Sequence, residues 1–368
     1  MSKCGQSIWL DYISRSLTDT GRLQGLVAQG LRGLTSNPTI FDNAVSRSSD
    51  YDSRIRELRI AGKKTLEIYD AITVEDIQDA ADAFASVYEN TDGLDGYVSL
   101  EINPRLAHDA DATVVEGKRL HRKVNRSNIM FKVPATDAGF SAIPALLAES
   151  INVNVTLIFS LDQYMKTAEV YLRGIEELLK NRGDARKVRS VASVFVSRVD
   201  TLTDRLLEEN LKSTQDGSAR SEMERLKGKA AIANAAIIYD RFREIFSSEN
   251  YRRISRHGGN LQRVLWGSTS TKNPEYSDIK YVTELIGRDT VNTIPEETLE
   301  AFIDHGVVKE SLPGDTRQAR ETIGRLNHVG IDINEICEKL LEDGAGAFQR
   351  SFDSLLRAIE QKASEVAG

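Results

Sequence analysis

Apolar residues recur along this chain in eight short runs, most of them followed by a helical pattern. The runs cover residues 8–12, 31–36, 96–102, 129–133, 152–159, 188–196, 263–268 and 290–293. Several alternate with period 2, as a strand with two unlike faces must. In the third run Tyr97, Ser99 and Glu101 share one parity, and Val98, Leu100 and Ile102 the other. In the fifth, Asn152, Asn154 and Thr156 oppose Val153, Val155 and Leu157. Between the runs the spacing changes to that of helices. Residues 14–30 predict one short amphipathic helix carried by Leu23, Leu26 and Val27, and residues 42–90 predict two or three. A further short helix is predicted over 139–150. Ser160-Leu-Asp-Gln163 is a capping box, opening a helix with Tyr164, Ala168, Tyr171, Ile175 and Leu178 on one face. Pro295, followed by Glu296 and Glu297, starts another, with its acids at the positive end of the dipole.

Strands alternating with helices predict a parallel sheet with helical crossovers. Eight such units predict α/β architecture of the closed (β/α)8 TIM barrel type, with extra helices. The rival, an open doubly wound sheet, loses support because no Gly-x-Gly-x-x-Gly or Walker-type loop follows the first run. The expected organisation is a single domain over 1–368. It carries a charged helical insertion at about 201–262 and a C-terminal helical region at about 313–364. In that last region Phe348, Phe352, Leu355 and Ile359 share a face and read as core, as do Trp9 and Trp266.

Composition narrows the function. The net charge is −7, so neither nucleic acid nor an anionic membrane is an expected partner. Cys4 and Cys337 are too few and too far apart for a disulfide framework. No signal-length apolar run opens the chain, and no stretch of 18 apolar residues occurs. A cytoplasmic protein is expected. The five histidines lack metal-ligand spacing, so no metal site is inferred.

The candidate chemistry centres on Lys132, set between Phe131 and Val133. Lysine is rarely buried, because taking an ammonium out of water is costly. An amine so placed suits attack on a carbonyl. In a barrel the catalytic groups stand at the C-terminal ends of the strands. Asp11, Asn37, Ser99, Glu101, Lys132, Asn154, Thr156, Ser193, Phe195 and Arg198 all fall at or near such ends. If the apolar parity faces the helices, Ser99, Glu101, Asn154, Thr156 and Ser193 point inward. So many inward polar side chains need partners that a merely packed core does not supply. Plainer readings exist for each residue. Lys132 and Glu101 would also suit a structural ion pair, Asn37-Pro38 a turn, and Arg198 with Asp200 a surface pair.

At these residues the chain resembles the transaldolases. The matching segments are WLDY, GLTSNPTIF, VSLE, FKVPATDAG, NVNVTLIFS, SVFVSR and the WGSTSTKNP region, in order from residue 7 to 295. The resemblance implies a class I aldolase-type barrel with no metal or organic cofactor. It implies transfer of a dihydroxyacetone unit between sugar phosphates through a lysine Schiff base. Lys132 is then the Schiff-base lysine. Glu101, acting through a water held by Thr156, and Asp11 are its acid/base groups. Asn37, Asn154 and Ser193 hold the dihydroxyacetone hydroxyls, Phe195 lines the site, and Arg198 binds phosphate. Where many members carry Ser-Phe-Arg after the seventh strand, this chain reads Ser268-Thr-Ser-Thr-Lys272, which assigns Ser270 and Lys272 to the phosphate. A fructose 6-phosphate aldolase-like enzyme and a catalytically dead binding barrel remain as alternatives. A monomer or a homodimer fits the sequence equally.

Overall fold

The computed structural model, which describes residues 1–364, is built around eight parallel strands. They are β1 (Gln6–Leu10), β2 (Gly33–Thr35), β3 (Tyr97–Glu101), β4 (Ile129–Pro134), β5 (Val153–Ile158), β6 (Ser190–Phe195), β7 (Arg263–Gly267) and β8 (Thr290–Ile294). Each pairs with the next, and β8 pairs with β1, so the sheet closes into a barrel surrounded by helices. This is the (β/α)8 architecture that the alternating pattern predicts.

The period-2 pattern decides what fills the barrel. One parity of each strand, such as Val98, Leu100 and Ile102 or Val153 and Val155, packs outward under the helices. The other parity stacks in layers along the axis. Trp9, Tyr97, Met130, Val191, Leu265 and Val291 form one apolar layer. Trp9 fits there only because Gly33 faces it. A Cβ at Gly33 would lie 2.6 Å from the indole, closer than carbon atoms pack. Above this layer come hydroxyls and amides. Asn154 Nδ2 donates to Ser99 Oγ at 3.0 Å, and Ser193 Oγ donates to Asn154 Oδ1 at 2.6 Å.

Two expectations need correction, and the two or three helices expected over 42–90 are found. Residues 14–30 form two helices, Arg15–Asp19 and Arg22–Gln29, not one. Gly21 between them has φ +74°, a left-handed geometry that ends one helix before the next begins. Residues 42–90 hold the end of the helix Pro38–Arg47 and three more, Asp52–Ile60, Thr65–Ala83 and Ala85–Asn90. The alternation of β5 stops at Leu157, which has φ +59°, and the β5–β6 pairing shifts between Val155 and Ile158. The bulge turns the strand end away from regular pleat.

Four helices, from Ser197–Ser213 to Glu249–Ser255, lie between β6 and β7. The C-terminal helix Ile333–Ser364 returns across the mouth of the barrel, and Lys339, Leu340, Asp343, Ala347 and Phe348 face the cavity there.

Candidate active site

The site lies at the C-terminal ends of the strands, in a cavity of about 790 Å³. Asp11, Asn37, Lys132, Thr156, Ser193, Phe195, Arg198, Ser270 and Lys272 all line it. Glu101 and Asn154 stand behind this surface, in contact with Lys132 and Ser193. All the residues singled out in the sequence thus come together.

Lys132 points inward from β4 because Met130, two residues earlier, does so as well. Pairing of β3 with β4 places Glu101 beside it. Both are buried, at 4% and 6% exposure. Lys132 Nζ donates to the Ser36 carbonyl at 3.0 Å and lies 3.2 Å from Glu101 Oε2. The contact with Glu101 is an ion pair without hydrogen-bond alignment, and Oε2 has no other partner. Burial pushes the Glu101 carboxyl above its ordinary pKa. The nearby ammonium pulls it back, and Asp11 pushes the same way as burial.

Asp11 continues the inward parity of Ser7 and Trp9 one step beyond β1. Thr35 donates to its Oδ1 at 2.7 Å, and the hydroxyls of Thr35 and Thr293 meet at 2.6 Å. Burial raises the Asp11 carboxyl too, against Lys132, the Thr35 hydrogen bond and Arg198. Glu101 and Lys132 are buried and Asp11 is half-buried at the cavity surface, so two carboxyls and one ammonium share its floor, which suits them to exchange protons with a bound molecule. Thr156 is fully buried, and its Oγ1 has no hydrogen-bond partner.

The cationic side of the cavity is built by the start of the helix Ser197–Ser213. Arg198 stacks 5.3 Å from the Phe195 ring centroid. Its guanidinium has no carboxylate within ion-pair distance among the described residues, and burial lowers its pKa against the pull of Asp11. An arginine held without a counter-ion offers its fork of donors to an anion. Asp200 is no surface partner to it. It is buried and bonded on the far side of the same helix. Asn37 caps the helix Pro38–Arg47 by accepting from the Ile40 N–H at 3.0 Å, which leaves its amide N–H groups to the cavity.

Several residues of the site were not singled out in the sequence. Thr35 and Thr293 orient Asp11, and the period-2 rule applied to β2 and β8 would have pointed to both. Phe348 read as core, yet it lines the cavity with its ring centroid 5.8 Å from Lys132 Nζ. Its apolar spacing gives no hint of that, because the path of the last helix is set by distant contacts. Among the described residues no cluster of three His, Cys, Asp or Glu is placed to hold a metal. No helix among them is long and apolar enough to cross a membrane.

Residues 8–359 match the transaldolase/fructose-6-phosphate aldolase family. A protein named transaldolase from Trichodesmium erythraeum is 41% identical over 365 residues, covering 98% of this chain and 96% of that protein. A transaldolase from Mycolicibacterium smegmatis is 42% identical, covering 98% and 95%. One from Parafrankia is 43% identical, covering 100% and 98%. With this coverage of both chains, the protein described here belongs to the transaldolase/fructose-6-phosphate aldolase family.

Proposed function

We propose that this protein transfers a dihydroxyacetone unit from a ketose phosphate, sedoheptulose 7-phosphate or fructose 6-phosphate, to an aldose phosphate, glyceraldehyde 3-phosphate or erythrose 4-phosphate. The observation that carries the reading is the floor of the cavity. A buried lysine stands against one buried carboxyl and near a second, with an unpaired arginine in the same cavity wall.

The neutral amine of Lys132 attacks C2 of the ketose and forms a carbinolamine. Glu101, relayed by a water on Thr156, moves the protons that let hydroxide leave as water, which gives the iminium. Asp11 then accepts the proton of the C4 hydroxyl. The electron pair of the C3–C4 bond flows into the iminium, and the aldose phosphate departs. The enamine left on Lys132 adds to the carbonyl of the acceptor by the same steps in reverse. Hydrolysis of the new iminium releases the product ketose. Asn37 and Ser193 hold the dihydroxyacetone hydroxyls, together with the Asn154 N–H that Ser99 does not use. Phe195 and Phe348 keep the reacting end dry. Arg198, with Ser270 and Lys272, takes the phosphate of donor and acceptor alike. The reading needs no metal or organic cofactor. It places a monomer or homodimer in the cytoplasm, without nucleic-acid or membrane partners.

A second reading, release of free dihydroxyacetone as an aldolase, fits the same barrel. Glu101 disfavours it, since those smaller relatives carry Gln at the third-strand position. The test is turnover of fructose 6-phosphate with and without erythrose 4-phosphate. Transfer predicts formation of sedoheptulose 7-phosphate that depends on the acceptor, with little free dihydroxyacetone. Equal turnover without acceptor overturns it in favour of the aldolase.

A further inference from the structure

The helix Ser197–Ser213 has two working faces. Arg198, Thr201 and Arg205 face the cavity. Asp200 and Asp204, one turn apart on another face, are buried at 1% and 8% exposure. Buried carboxylates require partners, and these have them. Asp200 Oδ1 accepts from the Ala231 N–H at 2.7 Å. Its Oδ2 accepts from the Tyr281 hydroxyl at 2.8 Å and lies 3.2 Å from Lys280 Nζ. Asp204 accepts from the Gly228 N–H at 2.8 Å and from the Tyr276 hydroxyl at 2.8 Å. Lys280 also donates to the Gly228 carbonyl and lies 4.4 Å from the Tyr276 ring centroid.

Tyr276, Lys280 and Tyr281 close the segment that starts after β7 and carries Ser270 and Lys272. The near end of that segment is tied to the same helix. The Ser197 N–H donates to the Ser268 carbonyl at 2.9 Å, and their hydroxyls meet at 3.1 Å. The segment bearing Lys272 is therefore held at both ends against the helix that bears Arg198. Lys272 itself is exposed and has no ion-pair partner among the described residues. Two unpaired cations repel, and a free loop would carry Lys272 outward. Anchoring the loop beforehand lowers the ordering cost of binding an anion between them.

We propose that Asp200 and Asp204 are positioning residues for the phosphate of the sugar substrate: by pinning the 268–281 segment to the helix Ser197–Ser213, they hold Lys272 in reach of the phosphate that Arg198 binds. The inference rests on the phosphate role given to Arg198 above. Asp200 and Asp204 touch no substrate. They act through Tyr276, Lys280 and Tyr281.

Three variants test it: Tyr276→Phe, Asp204→Ala and Asp204→Asn, with Arg198→Ala as control. Each is assayed with fructose 6-phosphate and with unphosphorylated fructose, and for inhibition by inorganic phosphate. Tyr276→Phe and Asp204→Ala should raise KM for fructose 6-phosphate about 3- to 10-fold, with kcat within about twofold. Inhibition by inorganic phosphate should weaken by the same factor, and kcat/KM for fructose should hold within about twofold. Asp204→Asn should restore parent values, since its amide oxygen accepts from Gly228 and its NH₂ donates to the Tyr276 oxygen. A clamp that serves only the fold predicts something else. Both donors would then suffer alike, or only thermal stability would fall, and either result overturns the proposal. Tyr276→Phe decides the matter if Asp204→Ala does not fold. If Arg198→Ala leaves the preference for the phosphorylated donor unchanged, the phosphate role of Arg198 fails and the inference falls with it. If Arg198→Ala lowers that preference while Tyr276→Phe and Asp204→Ala do not, only the positioning role fails.

Discussion

Two buried ion pairs stand inside this barrel, one at each end. At the N-terminal end Arg263 Nη1 lies 2.9 Å from Asp95 Oδ1. Around it Ser7 donates to the other Asp95 oxygen at 2.7 Å, and Arg263 Nη2 donates to Ser7 Oγ at 2.6 Å and to the Thr290 carbonyl at 2.7 Å. At the C-terminal end Lys132 and Glu101 lie 3.2 Å apart, equally buried. There Glu101 Oε2 has no aligned hydrogen bond, Thr156 Oγ1 has no partner, and a cavity of about 790 Å³ adjoins. The charges are of the same kind, and burial differs little. What differs is how far the surrounding groups are used up: in the lower pair Arg263 Nε alone lacks a partner among the described residues, whereas at the upper pair Glu101 Oε2 and Thr156 Oγ1 both lack one beside the cavity. A buried pair closed by hydrogen bonds is a plug, whereas one with unspent donors and acceptors beside a cavity is ready to react.

The comparison breaks most sharply at Lys132. Lys132→Met should lower turnover by on the order of 10⁴-fold or more, as removal of a nucleophile does. Stability in urea should change little, because the raised Glu101 carboxyl neutralises itself by taking a proton. Retained turnover within about tenfold, well inside that range, would return Lys132–Glu101 to the structural class.

Glu101→Gln should cost roughly 10²–10⁴-fold in rate, the usual loss for a general acid/base. Rapid-quench trapping should show the loss in Schiff-base formation. A variant within about threefold of the parent, far below that range, would make Glu101 a structural group.

The other end predicts the reverse. Arg263→Met strands the Asp95 charge and should destabilise the fold by about 3–5 kcal/mol in urea unfolding. Folded enzyme should keep its kcat. The double change Arg263→Met with Asp95→Leu should recover much of that stability, since an apolar pair often replaces a buried ion pair at no net cost. An Arg263→Met variant as stable as the parent would show that the lower pair is no plug.

The smallest effect is in the pH profile. Burial raises Glu101 above its ordinary 4.5 and Asp11 above its ordinary 3.8, so the acid limb of kcat/KM, set by the higher of the two, should lie above 4.5. These groups are harder to ionise folded than unfolded. As pH falls through their folded values, protonation removes an unfavourable charge from the native state. Activity should therefore fall with acid before the fold does. A limb at or below 4.5, or loss of far-ultraviolet dichroism in step with activity, would contradict this.

Much of this was legible in the sequence, for a physical reason. A strand with one face under apolar helices and the other on a polar barrel mouth alternates in residue type, so parity separated outward Val98 and Leu100 from inward Ser99 and Glu101. A lysine flanked by Phe131 and Val133 was costly enough to be noticed. Features set by long-range contact or backbone geometry stayed hidden. Leu157 takes φ +59° although nothing in its type favours it. Phe348 meets Lys132 only because the last helix crosses the barrel mouth. Asp200 looked like a neighbour of Arg198, but helix residues two apart point about 200° from each other, and its partners lie 31 and 81 positions away.

Covalent trapping distinguishes a reactive Lys132 amine from half of a structural pair. The protein is incubated with fructose 6-phosphate, reduced with borohydride, digested and mapped by mass spectrometry. A dihydroxyacetone-derived mass on the peptide containing Phe131-Lys132-Val133, and on no other lysine peptide, is the predicted result. No adduct, or an adduct on a different lysine, would contradict it.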